Sequence, residues 1–357
     1  MNPAMRLYEM GQSLWLDNIT RGLLTSGTLQ KYIHDYDLKG LTSNPSIFEA
    51  AIHGADFYDE AIRTKSASGL KGEALFLELA LEDLRAAADL FLPMHLETHG
   101  QEGWVSMEVS PLLVHDADGT LAEAKTLHEK LQRPNAFIKI PGTPEGVKAI
   151  EEAIFAGIPV NVTLLFSRQQ YLAAAEAYLR GIERRIEQGL DPKVASVASL
   201  FVSRWDAAIK DKVPDELKNK LGIAVAGDSY AAYRELLASQ RWKHLAEQGA
   251  LPQRLLWAST GTKDPAASDI LYVQSLTAPN TINTVPEKTL LAFADHGVVN
   301  GSMPAEGGDA AKVLKQFADA GIDTDALALQ LQGEGAESFS KSWKHLLDVI
   351  AQKSTTT

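Results

Sequence analysis

The stretch AFIKIPGTPEGVKAIEEAIFAGIPVNVTLLFS, residues 136–167, decides the fold. It opens with an apolar run, AFIKIPGT (136–143), and continues as PEGVKAIEEAIFAG (144–157), with proline near the start and glycine at the end. Those are the opening and closing signals of a helix. PVNVTLLFS (159–167) follows, with several branched residues suited to a pleated strand. Strand, helix and strand in succession argue for a parallel β/α unit. One residue is out of place. Lys139 stands among Ala136, Phe137, Ile138, Ile140 and Pro141, and lysine is almost never fully buried unless paired.

The alternation continues in both directions. LWLDNI (14–19), GLTSNPS (40–46) and WVSMEVSP (104–111) precede this unit; VASVASLFVSRW (194–205), RLLWASTGT (254–262) and NTINTV (280–285) follow it. Helical patterns occupy 73–95, 120–131 and 168–189, a helical insert fills about 206–250, and PEKTLLAFADHG (286–297) opens a helical C-terminal region. Eight β/α units in roughly 300 residues predict a (β/α)8 TIM barrel with extra helices in the insert and at the C-terminus. The alternative is an open doubly wound sheet, but its usual nucleotide signals, GxGxxG and GxxxxGK[ST], are missing. Residues 1–351 read as one barrel domain, and QKSTTT (352–357) as a disordered tail.

Composition narrows the function. The chain has 357 residues, 45% of them hydrophobic, and 34 basic against 46 acidic side chains give a formal charge of −12. That field disfavours nucleic acid and anionic membranes as partners, so a phosphorylated ligand needs a local basic site. There is no cysteine, hence no disulfide and no thiolate nucleophile. The start, MNPAMRLYEMG, lacks an apolar signal core, and no apolar run reaches the ~18 residues of a membrane span. The expectation is a soluble cytoplasmic protein. HExxH, an EF-hand loop and GxSxG are all absent, so neither a metal, a cofactor nor a serine nucleophile is called for.

In such a barrel, functional groups sit at the C-terminal ends of the strands, and residues two apart share a face. On that rule Asp17, Asn44 and Ser259 lie late in their strands, while Glu108 shares a face with Ser106 and Ser110, Lys139 with Phe137, Asn161 with Thr163, and Ser199 with Phe201 and Ser203. Each alone has a structural explanation: Asn44 before a proline as a turn former, Asp17 as a cap, Thr163 as an ordinary strand residue, Glu108 and Lys139 as a buried ion pair. Jointly, seven strand-like segments carry polar groups toward one end, where a closed barrel gathers them. Desolvation favours the neutral form of an amine, and a neutral amine attacks a ketone to give a Schiff base. The protonated imine then stabilises the carbanion left when a neighbouring C–C bond breaks. Glu108 and Asp17 are available as proton shuttles, and Asn and Ser side chains suit sugar hydroxyls.

The stretches LWLDNI, GLTSNPSIF, VSMEVSP, FIKIPGT, VNVTLLFS, SLFVSRWD and LLWASTGTK make the chain resemble the transaldolases, in the branch whose lysine motif reads KIPGT. The resemblance runs from residue 14 to about 263 and covers every strand but the last. It implies a pentose phosphate pathway enzyme that transfers a dihydroxyacetone unit between sugar phosphates. Lys139 would be the Schiff-base lysine, and Asp17 would transfer the proton at the bond being cleaved. Glu108 and Thr163 would hold the water of imine formation and release. Asn44 and Asn161 would bind hydroxyls of the dihydroxyacetone unit, Ser199 its terminal hydroxyl, and Arg204 the substrate phosphate. Arg204 also admits a simpler reading, an ion pair with Asp206. Many members have Ser-x-Arg after the seventh strand; here Ser259 aligns but the arginine is absent, and Lys263 is expected to supply the charge. Ser203 replaces a glycine before Arg204 and has no role assigned.

The nearest rival is the smaller fructose 6-phosphate aldolase group, where Gln stands at the position of Glu108 and Tyr at that of Phe201. Both residues, and the added length, favour transaldolase. A non-catalytic sugar-phosphate-binding barrel is the rival of another class, and the combination of Lys139, Glu108 and Asp17 disfavours it. Nothing in the pattern fixes an oligomeric state.

Overall fold

The computed structural model describes residues 2–355. Eight strands form at the expected runs: β1 (Gln12–Asp17), β2 (Gly40–Thr42), β3 (Val105–Glu108), β4 (Ala136–Pro141), β5 (Val160–Leu165), β6 (Ser196–Phe201), β7 (Gln253–Ala258) and β8 (Thr281–Val285). All neighbours pair in parallel, in the order β2-β1-β8-β7-β6-β5-β4-β3. The two ends of that sheet meet. Gly40 bridges Trp104, Leu41 N–H donates to Trp104 O at 2.9 Å, and Gly103 N–H donates to Lys39 O at 2.7 Å. Gly40 is needed at this seam, because a Cβ there would stand 2.7 Å from Trp104 O and equally close to the Trp15 ring. The architecture is the expected (β/α)8 barrel, with an open sheet excluded by the closure.

Local chemistry explains why the units form where they do. Thr143 caps the helix Pro144–Phe155 by accepting from Gly146 N–H, with Pro144 in the first turn. Ser167 and Gln170 make a reciprocal capping box at the start of Arg168–Glu187. Asn44 caps Pro45–His53, its Oδ1 accepting from Ile47 N–H at 3.0 Å. All six residues of β4, β5 and β6 are buried, as expected of parallel strands covered on both faces. Aliphatic and aromatic side chains fill the layer between sheet and helices. A second cluster, with Trp15, Phe137, Val197, Phe201, Leu256 and Ile282, fills the barrel interior. By the period of two, the residues in step with Trp15 and Phe137 toward the C-terminal end are Asp17 and Lys139, which sets the site above this aromatic floor.

The insert folds as helices Ser203–Ile209, Leu221–Ala238 and Gln240–Glu247. The last element of the described residues is a 32-residue helix, Thr324–Thr355, that packs on Pro45–His53. Four residues of the expected tail, 352–355, are therefore helical. Lys353 Nζ reaches Asp59 Oδ1 at 2.6 Å and Ala55 O at 3.0 Å, and Ser66 Oγ donates to Ser354 Oγ at 2.9 Å. A polar composition suggested disorder, but these contacts anchor the last turn; residues 356–357 lie outside the described residues. Among the described residues, no helix is long and apolar enough to cross a membrane.

Candidate active site

Lys139 and Glu108 are register partners on β4 and β3, which sets their side chains side by side on the inner face. Lys139 Nζ lies 3.2 Å from Glu108 Oε2, and the two residues are only 4% and 5% exposed. The amine also donates to Ser43 O at 3.1 Å. Glu108 Oε1 is buried without a hydrogen-bond partner, and so is the hydroxyl of Thr163 on β5. Burial pushes the Glu108 carboxyl above the usual carboxylate range, and Lys139 opposes that shift.

Asp17 ends β1. Thr42 Oγ1 donates to its Oδ1 at 2.7 Å, while Thr42 and Thr284 hydroxyls meet at 2.8 Å. Withdrawal from water raises the Asp17 carboxyl; Lys139, the Thr42 hydrogen bond, Lys263 and Arg204 lower it in turn. Two carboxylates from different strands thus act electrostatically on one amine, each held where its protonated form is favoured more than in water.

A cleft of about 190 Å³ opens over these groups. It is lined by Asp17, Asn44, Lys139, Ser199, Phe201, Arg204, Ser259 and Lys263, eight of the residues singled out in the sequence. Glu108, Asn161 and Thr163 lie behind that lining. Asn161 has one bond at each end of its amide: Ser199 Oγ donates to its Oδ1 at 2.7 Å, and its Nδ2 donates to Ser106 Oγ at 3.1 Å, which leaves one N–H and one lone pair over. In this arrangement it orients Ser199. Asn44 uses its carbonyl as a helix cap, so its NH2 group is the end left for a ligand.

Arg204 does not pair with Asp206. Asp206 is buried and accepts from Leu221 N–H, Gly222 N–H and Tyr272 Oη, so it ties two helices of the insert to each other and to the short helix Leu271–Ser275 after β7. No carboxylate lies within ion-pair distance of Arg204 among the described residues. Its guanidinium is held below its usual strong basicity by burial, with Glu334, Asp17 and Glu108 opposing. Ser203 gains a role here. Its Oγ lies 3.0 Å from Ser259 Oγ, and its N–H donates to Ser259 O at 2.9 Å. Ser259 has φ 53, a left-handed conformation that non-glycine residues rarely adopt, and these contacts hold it there. Lys263 is exposed at the rim and also lines a neighbouring cleft with Lys210 and Lys218.

Thr42, Ser46, Thr284, Pro286 and Phe339 also line the cleft. Thr42 and Thr284 lie on strands already identified and were legible from the period of two. Phe339 comes from the C-terminal helix, and no sequence signal points to it. A larger cavity, about 780 Å³, sits at the opposite, N-terminal mouth, and no residue singled out in the sequence lines it. Its lining includes the Arg254–Glu102 ion pair at 3.0 Å, bonded through Ser13, at the face of the barrel associated with stability. Among the described residues, no three His, Asp or Glu side chains are placed to hold a metal ion.

The fold and cleft define a (β/α)8 barrel with a buried lysine set among carboxylates at the C-terminal ends of its strands. Residues 14–350 match the family described as Transaldolase/Fructose-6-phosphate aldolase, and the chain belongs to that family. It is 46% identical to a transaldolase of Arthrobacter sp. (strain FB24), over 97% of this chain and 95% of that protein. It is 44% identical to one of Saccharopolyspora erythraea, over 97% and 96%, and 40% identical to one of Trichodesmium erythraeum, over 99% and 97%.

Proposed function

We propose that this chain is a transaldolase, a transferase that moves a dihydroxyacetone unit from sedoheptulose 7-phosphate or fructose 6-phosphate to glyceraldehyde 3-phosphate or erythrose 4-phosphate. The observation that carries the reading is the placement of Lys139 Nζ 3.2 Å from a buried carboxylate, in a cleft also lined by Asp17 and Arg204. In this reading the Lys139 amine attacks the C2 ketone, and Glu108 and Thr163 manage the proton and the water lost as the imine forms. Their unpartnered oxygens are suited to that task. Asp17 takes the proton from the C4 hydroxyl, the C3–C4 bond breaks, and its electron pair enters the protonated imine. An aldose phosphate leaves, a second aldehyde accepts the enamine carbon, and hydrolysis frees Lys139. Arg204, Ser259 and Lys263 hold the phosphate, Asn44, Asn161 and Ser199 the hydroxyls, and the bond between Asn161 and Ser199 keeps the latter in place. The expected setting is the cytoplasm.

Borohydride reduction in the presence of fructose 6-phosphate, with mass mapping of the labelled peptide, tests the assignment. The adduct is expected on Lys139, and Lys139→Ala should abolish turnover while preserving the fold. An adduct on another lysine sinks the assignment. Sustained release of free dihydroxyacetone from donor alone would make the protein an aldolase instead.

A further inference from the structure

The C-terminal helix Thr324–Thr355 brings three residues to the site on one face, at spacings of three and four. Gln332 is 6% exposed and donates from Nε2 to Gly142 O at 3.1 Å and Leu164 O at 2.9 Å. Those carbonyls lie just past the ends of the Lys139 strand and the Thr163 position. Gly335 follows; a Cβ there would stand 3.1 Å from Arg204 Nη1 and 2.9 Å from Leu164 Cδ2. Phe339 comes next, with its ring centroid 5.8 Å from the Arg204 guanidinium carbon and 6.0 Å from Lys139 Nζ. Phe201, from the end of β6, lies 5.1 Å from the same guanidinium carbon.

A buried phenylalanine on a helix is usually just core, and Phe339 does belong to the cluster containing Leu164, Phe166 and Phe201. Core packing explains neither the ring beside two cations nor the glycine that lets the helix backbone approach Arg204. Arg204 has no ion-pair or hydrogen-bond partner among the described residues. Its position therefore rests on the two rings, and its N–H donors remain uncommitted.

We propose that Phe339 and Gly335 position Arg204 and thereby set the preference for phosphorylated over unphosphorylated sugars. This rests on the transaldolase reading. Phe339 is a positioning residue, since it acts through Arg204.

The test compares borohydride trapping on Lys139 with fructose 6-phosphate and with unphosphorylated dihydroxyacetone, as second-order rates. Phe339→Leu keeps an apolar side chain but removes the ring. It should lower the rate with fructose 6-phosphate about tenfold, chiefly through weaker binding, and leave the dihydroxyacetone rate within about twofold. Phe339→Tyr, which keeps the ring, should retain the wild-type preference. Gly335→Ala should show the same selective loss as Phe339→Leu, because its Cβ crowds the guanidinium; crowding against Leu164 costs stability, and the better helix propensity of alanine offsets part of that cost. Equal losses with both ketones, or no loss, overturn the proposal and leave Phe339 as packing. If the wild-type protein traps neither ketone on Lys139, the transaldolase reading itself fails, and this inference fails with it.

Discussion

Replacing Glu108 by glutamine removes one charge from the centre of the site with almost no change of shape. At 3.2 Å and an effective dielectric of about 20, the lost attraction to Lys139 is about 5 kcal/mol. Desolvation offsets part of it, and breaking a buried pair on one side destabilises by about 3–5 kcal/mol. Glutamine retains a polar carbonyl toward the amine, which places the expectation near the low end, about 3 kcal/mol. Unfolding entropy near 2.1 cal/mol/K per residue gives about 0.75 kcal/mol/K for 357 residues, so the melting temperature should fall by about 4 °C. The effect on chemistry should be far larger. A positioned acid–base group contributes about 10²–10⁴-fold, and the loss should fall on imine formation. The assay follows borohydride trapping with fructose 6-phosphate over time by intact mass, with Asp17→Asn alongside. Glu108→Gln should trap slowly; Asp17→Asn should trap normally but release no aldose. Normal trapping by Glu108→Gln with none by Asp17→Asn would show that the two assignments are reversed.

The acid limb of kcat/KM should lie above the ordinary carboxylate range of about 4, because burial raises both Asp17 and Glu108; a limb at or below that value would show that neither controls the rate. Glu123, behind β3, accepts from Ser110 N–H at 2.8 Å and is pushed up by burial to about 7. The folded state therefore binds more protons than the unfolded chain between about 4.5 and 7, and stability should fall as pH rises through that window. Glu123→Gln should flatten that slope in pH-dependent urea melts; an unchanged slope would assign it to other groups. Asp206→Ala should leave the N–H groups of Leu221 and Gly222 and the Tyr272 hydroxyl without their acceptor, at a cost of about 3 kcal/mol or more in chemical denaturation. A loss under 1 kcal/mol would show that the insert is held elsewhere.

The strands were legible because a parallel strand buried on both faces must be a short apolar run bounded by Gly, Pro or a capping residue. β4 and β5 show it, with Thr143 and Ser167 marking the next helices. Lys139 was legible for the opposite reason, as a charge where such a run tolerates none without a partner. The partner, Glu108, followed from strand ends that closure brings together. The phosphate end was less legible. Ser203 had no reading because its contact with Ser259 crosses from one strand end to another at a backbone angle that sequence does not reveal. The bonds of Asn161 to Ser199 and Ser106 were not legible either, because they join three different strands.

By itself the sequence determined local period, caps and the one misplaced charge, because each depends on residues a few positions apart. Only the tertiary structure decided that Phe339, 200 residues after Lys139, stands over the same cleft, and that residues 352–355 are anchored. Many helices here are amphipathic. Which one crosses the mouth of the barrel is set by contacts such as Gln332 on two strand-end carbonyls and Gly335 against Arg204. Such contacts depend on the positions of distant backbone atoms once the barrel has closed, and periodicity along the chain carries no record of them.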